Sequence, residues 1–208
     1  MANSKIIIVE GAQGVGKTTV TDFIRNSIPY TNLYRLNGTS DNSLAGFAKS
    51  KKMYLGLIDY IKTLENASIN LLFDRTFFTE EVYCRLGFKE YSFTELYNEL
   101  LKKLSKMDFD IFYITLYLSD ENEFERRLKR SGKATVKYAK FNKESSVQQQ
   151  NAYLSLADEV SQNYPRIHVI KIDNMKPLEE TESLIKDLLA WTCVTISRSK
   201  LKQPFVYL

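Results

Sequence analysis

The chain has 208 residues, 44% of them apolar, and 29 Lys and Arg against 25 Asp and Glu leave a net charge of +4. That length suits one α/β domain with a sizeable core, and residues 1–208 are taken as a single domain. So mild a basic excess argues against a nucleic-acid partner, which usually brings a strong bias or a basic block, and suits small anionic ligands instead. The opening MANSK shows no signal peptide, and no run approaches the ~18 apolar residues of a membrane span. Cys84 and Cys193 form no CxxC pattern and suit reduced thiols. A cytoplasmic protein is expected.

The first apolar run, Lys5–Glu10 (KIIIVE), suits a strand covered on both faces. Glu10 closes it, either as a solvated strand end or as a carboxylate in a reaction site. Next comes Gly11-Ala12-Gln13-Gly14-Val15-Gly16-Lys17-Thr18, with Thr19 just beyond, a full match to G-x-x-x-x-G-K-[ST]. Glycines let successive N–H groups turn toward one anion, and the helix that follows (Thr18–Ser27) adds its N-terminal dipole. Lys17 is placed to reach the β- and γ-phosphates of a nucleoside triphosphate, and Thr18 to offer its hydroxyl to Mg²⁺. ATP and Mg²⁺ are therefore the expected ligands.

A strand at Asn32–Leu36 and a helical pattern at Ser43–Asn66 follow, the latter on Leu44, Phe47, Leu55, Ile58, Ile61 and Leu64. The third strand, Asn70–Asp74, ends in a carboxylate followed at once by Arg75. In an open parallel sheet ligands bind beyond the carboxyl ends of the strands. Asp74 is thus placed beside the glycine-rich loop, to hold the metal's water shell or accept a proton. Arg75 is placed to clamp an acceptor phosphate. A structural Asp–Arg pair is the alternative.

The remaining strands are Asp110–Leu118 and Ile167–Asp173, and the helices Phe93–Lys106, Asp120–Arg130, Glu144–Gln162 and Leu178–Thr192. Strand and helix alternate, which predicts an α/β fold with a five-stranded parallel sheet and helices on both faces. Residues 131–144 are polar, basic and aperiodic, as expected of a lid. Arg126, Arg127, Arg130, Lys133, Lys137 and Lys140 cluster there, Arg126 and Arg130 sharing one helical face, and Arg130 is the candidate catalytic cation. His168, inside an apolar strand, is expected to be buried and structural. The tail at 197–208 contains Pro204, which argues against a continuous helix.

Taken together these segments resemble thymidylate kinases and the wider P-loop nucleoside and nucleotide kinases, over residues 4 to 192. VEGAQGVGKTT is similar to E-G-x-x-x-x-G-K-[ST]-T, YRLNGTSD from Tyr34 to R-E-P-G-G-T, and FDRTFFTEEVY from Phe73 to D-R-Y-x-x-S-x-x-A-Y. FNKESSVQQQNAYLSLADE from Phe141 resembles the helix after the family's lid, and VIKIDNMKPLEETESLIKDLL its last strand and helix. The resemblance implies ATP phosphates and Mg²⁺ on Lys17 and Thr18, and acceptor phosphate and metal on Asp74 and Arg75. It implies Arg35 on the acceptor side, an aromatic among Phe77, Phe78 and Tyr83 against the acceptor base, and a homodimer.

Several positions depart from the family pattern. Gln13 stands where an acidic residue usually meets the acceptor sugar, and Leu36-Asn37 replaces E-P. The lid D-R is Thr135-Val136, and the post-lid arginines are Gln148, Gln149 and Gln150. Phosphoryl transfer to a deoxynucleoside monophosphate is the first expectation. A deoxynucleoside kinase, with Glu10 or Asp74 near the sugar hydroxyl, is the second. A P-loop module acting on nucleic-acid ends is the third.

Overall fold

The computed structural model describes residues 4–36, 38–130 and 142–190. Five parallel strands form one sheet: β1 (Lys5–Gly11), β2 (Thr31–Arg35), β3 (Asn70–Asp74), β4 (Asp110–Tyr117) and β5 (Ile167–Asp173), in the spatial order β2-β3-β1-β4-β5. All seven residues of β1 are buried, as a central strand under helices on both sides requires. Its side chains alternate between two cores. Ile6 and Ile8 join Phe73, Tyr113 and the aromatic residues of one face, while Ile7 and Val9 join Leu72, Ile114 and Phe124 on the other.

Seven helices are described: α1 (Lys17–Ser27), α2 (Leu44–Thr63), α3 (Phe77–Arg85), α4 (Thr94–Leu104), α5 (Asn122–Arg130), α6 (Lys143–Asn163) and α7 (Leu178–Ala190). The α4 stripe Leu96, Leu100, Leu101 and Leu104 is buried as its spacing predicts. In α2 the buried line runs instead through Gly46, Ser50, Tyr54, Ile58 and Ile61, and Leu44 is 73% exposed. A four-residue step through Tyr54 thus overrides the expected leucine face.

Helix α3 is an addition to the predicted elements. Six successive residues, Phe77 to Val82, are buried, the polar Thr79, Glu80 and Glu81 among them, so residue type does not betray the helix's period. His168 is a correction: it lies exposed on the edge strand β5, its ring 5.1 Å from that of Phe112. The expected lid falls at residues 131–141 outside the described residues, with Lys133, Lys137 and Lys140. Its last positions belong to α6, where Asn142 caps the helix by accepting from Ser145 N at 2.7 Å. Cys193 and the 197–208 tail also lie outside the described residues. Among the described residues no helix is long and apolar enough to cross a membrane.

The strand order sets the site. From β1 the chain passes over β3 to reach β2, and from β3 it crosses to β4 on the far side of β1. The crevice of an open α/β sheet lies where the winding reverses, at the carboxyl end of β1.

Candidate active site

The loop after β1 fills that crevice. Gly11, Gly14 and Gly16 have φ of 141°, 87° and 101°, a region that side chains strain to enter. At Gly16 a Cβ would also run into the Asn174 side chain, and at Gly11 it would approach Leu116 O to 2.6 Å. Gly16 precedes α1 with no side chain capping it, so the first-turn N–H groups face the crevice for an anion. The loop is braced from behind. Val15 O accepts from Asn174 Nδ2 at 2.7 Å and from Arg127 Nη1 at 3.1 Å, and Arg127 Nη2 donates to Asn174 O at 2.8 Å. Lys17 is 6% exposed, and its Nζ donates to Gly11 O and Ala12 O at 2.8 Å each.

A cavity of about 480 Å³ opens over the loop, lined by Gln13, Gly14, Gly16, Lys17, Thr18, Thr19, Arg35, Leu36, Asp74, Arg75, Arg127 and Arg130. That volume falls among ordinary ligand pockets. It gathers residues from β2, β3, α1 and α5. Thr18 Oγ1 donates to Asp74 Oδ2 at 3.3 Å. Arg35 Nε is 3.9 Å from the same oxygen, and Arg35 Nη2 pairs with Asp22 of α1. Arg75 Nη2 donates to Gln13 Oε1 at 2.8 Å, a neutral partner. No carboxylate of the described residues pairs with Arg75 within 4 Å.

Two hard oxygens, Thr18 Oγ1 and Asp74 Oδ2, face the phosphate loop together. Mg²⁺ commonly uses one or two protein oxygens and completes its shell with water and phosphate. The pair fits that ion, and the described residues hold no group of three or more His, Cys, Asp or Glu that would suit a metal with a full protein shell.

Other expected residues lie elsewhere. Ala12 and Val15 are buried in the second core behind the loop. Phe78 is fully buried between Phe77 and Tyr113, ring centroids at 4.8 and 4.3 Å, so it cannot stack on an acceptor base. Tyr83 lines no part of the cavity and packs edge-on against Phe88 at 5.6 Å. Arg126 is held by Asp120 and Glu123 on the outer face of α5. Arg127 and Arg130, three residues apart, are the pair that faces the loop.

Glu10 is not a solvated strand end. It has no exposed surface and accepts from Thr76 N at 2.7 Å, Thr76 Oγ1 at 3.2 Å and Thr79 Oγ1 at 2.7 Å. Burial pushes its carboxyl up to about 7, against the pull of Thr79, Thr76, Lys17 and Arg75. Two of the three post-lid glutamines serve the backbone. Gln150 Oε1 accepts from Leu118 N and its Nε2 donates to Leu118 O, at 2.7 and 3.1 Å, while Gln149 Oε1 accepts from Gln13 N at 3.4 Å. Asn174 and the Thr76–Thr79 pair were not singled out in the sequence. Asn174 could have been, as the residue just past the end of a parallel strand.

No family model matches the chain, and no curated protein matches it in sequence. Solved structures share its architecture. The thymidylate kinase of Candida albicans aligns over 93% of this chain and 94% of its own, with TM-score 0.63 and 15% identity. The deoxyadenosine kinase of M. mycoides, solved with bound dCTP, aligns over 90% and 99%, with TM-score 0.56 and 18% identity. Polyphosphate kinase 2 of Arthrobacter aurescens aligns over 98% of this chain and 73% of its own, with TM-score 0.66 and 13% identity. All three are P-loop kinases, and this chain has the P-loop kinase fold, as its sequence led us to expect.

Proposed function

We propose that this P-loop kinase fold transfers the γ-phosphoryl group of ATP, with Mg²⁺, to a deoxynucleoside monophosphate. The observation that carries the proposal is Arg75. It lines the cavity beside Asp74, held in place by the neutral oxygen of Gln13. Its Gln13 partner is neutral, and although the Glu10 and Asp74 carboxylates act on it at a distance, such a guanidinium can meet a second anion with two parallel N–H donors.

The rest of the cavity supports a two-anion arrangement. The N–H groups around Gly14 to Thr18 and the Lys17 ammonium hold the triphosphate. Thr18 and Asp74 hold Mg²⁺, whose chemistry is to neutralise charge shared between phosphates. Arg35 and Arg75 take the acceptor phosphate from the opposite wall, and Arg130 balances charge on the transferred group, while Arg127, paired with Glu123 and spent on Val15 O and Asn174 O, holds the loop in place. An acceptor phosphate oxygen is already a nucleophile, so positioning and charge stabilisation suffice and no strong base is required.

A nucleoside acceptor is the second reading, favoured by one observation. Gln149 and Gln150 are spent on backbone groups, so α6 brings no cation to the acceptor side. In that case the Asp74 carboxylate would receive the proton of the sugar hydroxyl. The deoxyadenosine kinase among the structural counterparts supports this reading, and the thymidylate kinase supports the first. A steady-state panel of the four deoxynucleosides and their 5′-monophosphates with ATP and Mg²⁺ tests both. Turnover of monophosphates is expected, and turnover confined to nucleosides would sink the first reading.

A further inference from the structure

The phosphoryl-transfer scheme leaves one buried carboxylate unused. Glu10 does not line the cavity, yet three donors converge on it from the turn after β3 and from α3. The network continues inward, since Thr79 Oγ1 and the Tyr153 hydroxyl of α6 share a hydrogen bond of 2.8 Å and Tyr54 of α2 donates to Thr76 O at 3.3 Å. It also brackets Arg75. Arg75 N donates to Val9 O at 3.2 Å, and the next N–H, that of Thr76, goes to Glu10. Two successive residues of β1 therefore hold the peptide groups on either side of Arg75.

That bracket matters because Arg75 has φ +72°. A non-glycine residue is strained there and stays only where its surroundings over-determine it. Such residues collect at ligand clamps. Glu10 is also the residue before Gly11, so one side chain ties the start of the phosphate loop to the corner that carries Asp74 and Arg75.

We propose that Glu10 is a positioning residue: acting through Thr76, it holds the Arg75 guanidinium at the acceptor wall in register with the phosphate loop. This rests on the reading of Arg75 as the acceptor-phosphate clamp. An ionised carboxylate accepts all three donors at once. Protonation turns one oxygen into a donor and breaks that pattern. The cations facing Glu10 are Lys17 from α1 and Arg75 itself. The phenols facing it are Tyr54 of α2, Tyr83 of α3, Tyr113 of β4 and Tyr153 of α6, all kept neutral by burial. Full positioning therefore belongs to the alkaline side of about pH 7.

The test uses the full chain with ATP, Mg²⁺ and whichever of dTMP, dCMP, dAMP and dGMP turns over fastest. Glu10→Ala is expected to raise the monophosphate KM about 10-fold and to leave the ATP KM within about 2-fold. Glu10→Gln presents one acceptor and one donor, as the protonated acid does, so at pH 8 it should already show the raised monophosphate KM that wild type shows in acid. The wild-type monophosphate KM should rise as pH falls through 7, and that of Glu10→Gln should not. Placed on Arg75→Ala, Glu10→Ala should add almost nothing, because the group it positions is gone.

Equal rises in both KM values, or full additivity with Arg75→Ala, would overturn the proposal. If Glu10→Ala does not fold, Glu10→Gln decides: a KM that keeps the wild-type pH profile also overturns it. If Arg75→Ala alone leaves the monophosphate KM unchanged, the fault lies with the clamp assignment rather than with Glu10.

Discussion

Glu10→Gln should make the fold more stable in neutral and alkaline solution and remove a pH dependence. Glu10 is fully buried, and its carboxyl titrates near 7 where a solvated one titrates near 4.5. Below 4.5 the group is protonated in both folded and unfolded chains and contributes no difference. Between 4.5 and 7 the unfolded chain releases the proton while the folded chain keeps it, so stability falls as pH rises. Above 7 the fold carries the whole cost. Moving the carboxyl from 4.5 to about 7 corresponds to about 3 kcal/mol.

An amide of the same shape does not titrate. The stability difference between Glu10→Gln and wild type should therefore move by about 3 kcal/mol in favour of the variant between pH 4.5 and 8. For a chain of this length that corresponds to a relative rise in Tm of roughly 6–12 °C. Urea unfolding of both proteins at half-unit steps from pH 4.5 to 8 measures it directly. Comparing the two cancels every other titrating group. A difference that stays constant across that window would refute the reasoning, for it would mean that Glu10 ionises in the fold as it does in water.

Other consequences are open to simpler assays. Lys17→Ala should lower kcat by about 100-fold or more while circular dichroism and Tm stay near wild type. Gly16→Ala should strain a backbone at φ +101° and press on Asn174; a Tm drop together with lost ATP binding, read by calorimetry, is expected. Asp74→Asn should raise the Mg²⁺ concentration giving half-maximal rate, at constant ATP, because one of the two paired oxygens loses its charge. An unchanged magnesium titration would remove Asp74 from the metal site.

The geometry of the glycine-rich loop was legible because its demands are local. Positive φ at Gly11, Gly14 and Gly16 leaves a trace in residue type, and Lys17 and Thr18 follow at fixed spacing. Asp74 and Arg75 were legible because an apolar run announces where a parallel strand ends. The fold class was legible for the same reason, since buried parallel strands show as unbroken apolar runs.

What escaped depended on distant partners or on uniform burial. Nothing near Glu10 announces Thr76 and Thr79, which meet it from 66 and 69 residues away. Helix α3 is buried through its first six residues, so its period vanished, and with it the sign that Phe78 points inward. His168 follows the apolar pattern of β5, but β5 is an edge strand and its residue 168 stays exposed. Among the arginines of α5 Arg130 lines the cavity as expected, but its companion there is Arg127, three residues before it, and not Arg126, four before it. Glu123 pairs with both Arg126 and Arg127, Asp120 holds Arg126 on the outside, and Arg127 reaches Val15 O of the loop.

The central claim is that Arg75 makes this a kinase of phosphorylated acceptors. The most direct measurement is the ratio of kcat/KM for a deoxynucleoside 5′-monophosphate to that for its own nucleoside, in wild type and in Arg75→Ala. The account predicts a wild-type ratio above about 10 that falls at least tenfold in the variant, the loss of one charge-assisted contact. A ratio below one in the wild type, or a ratio that Arg75→Ala leaves unchanged, would contradict it.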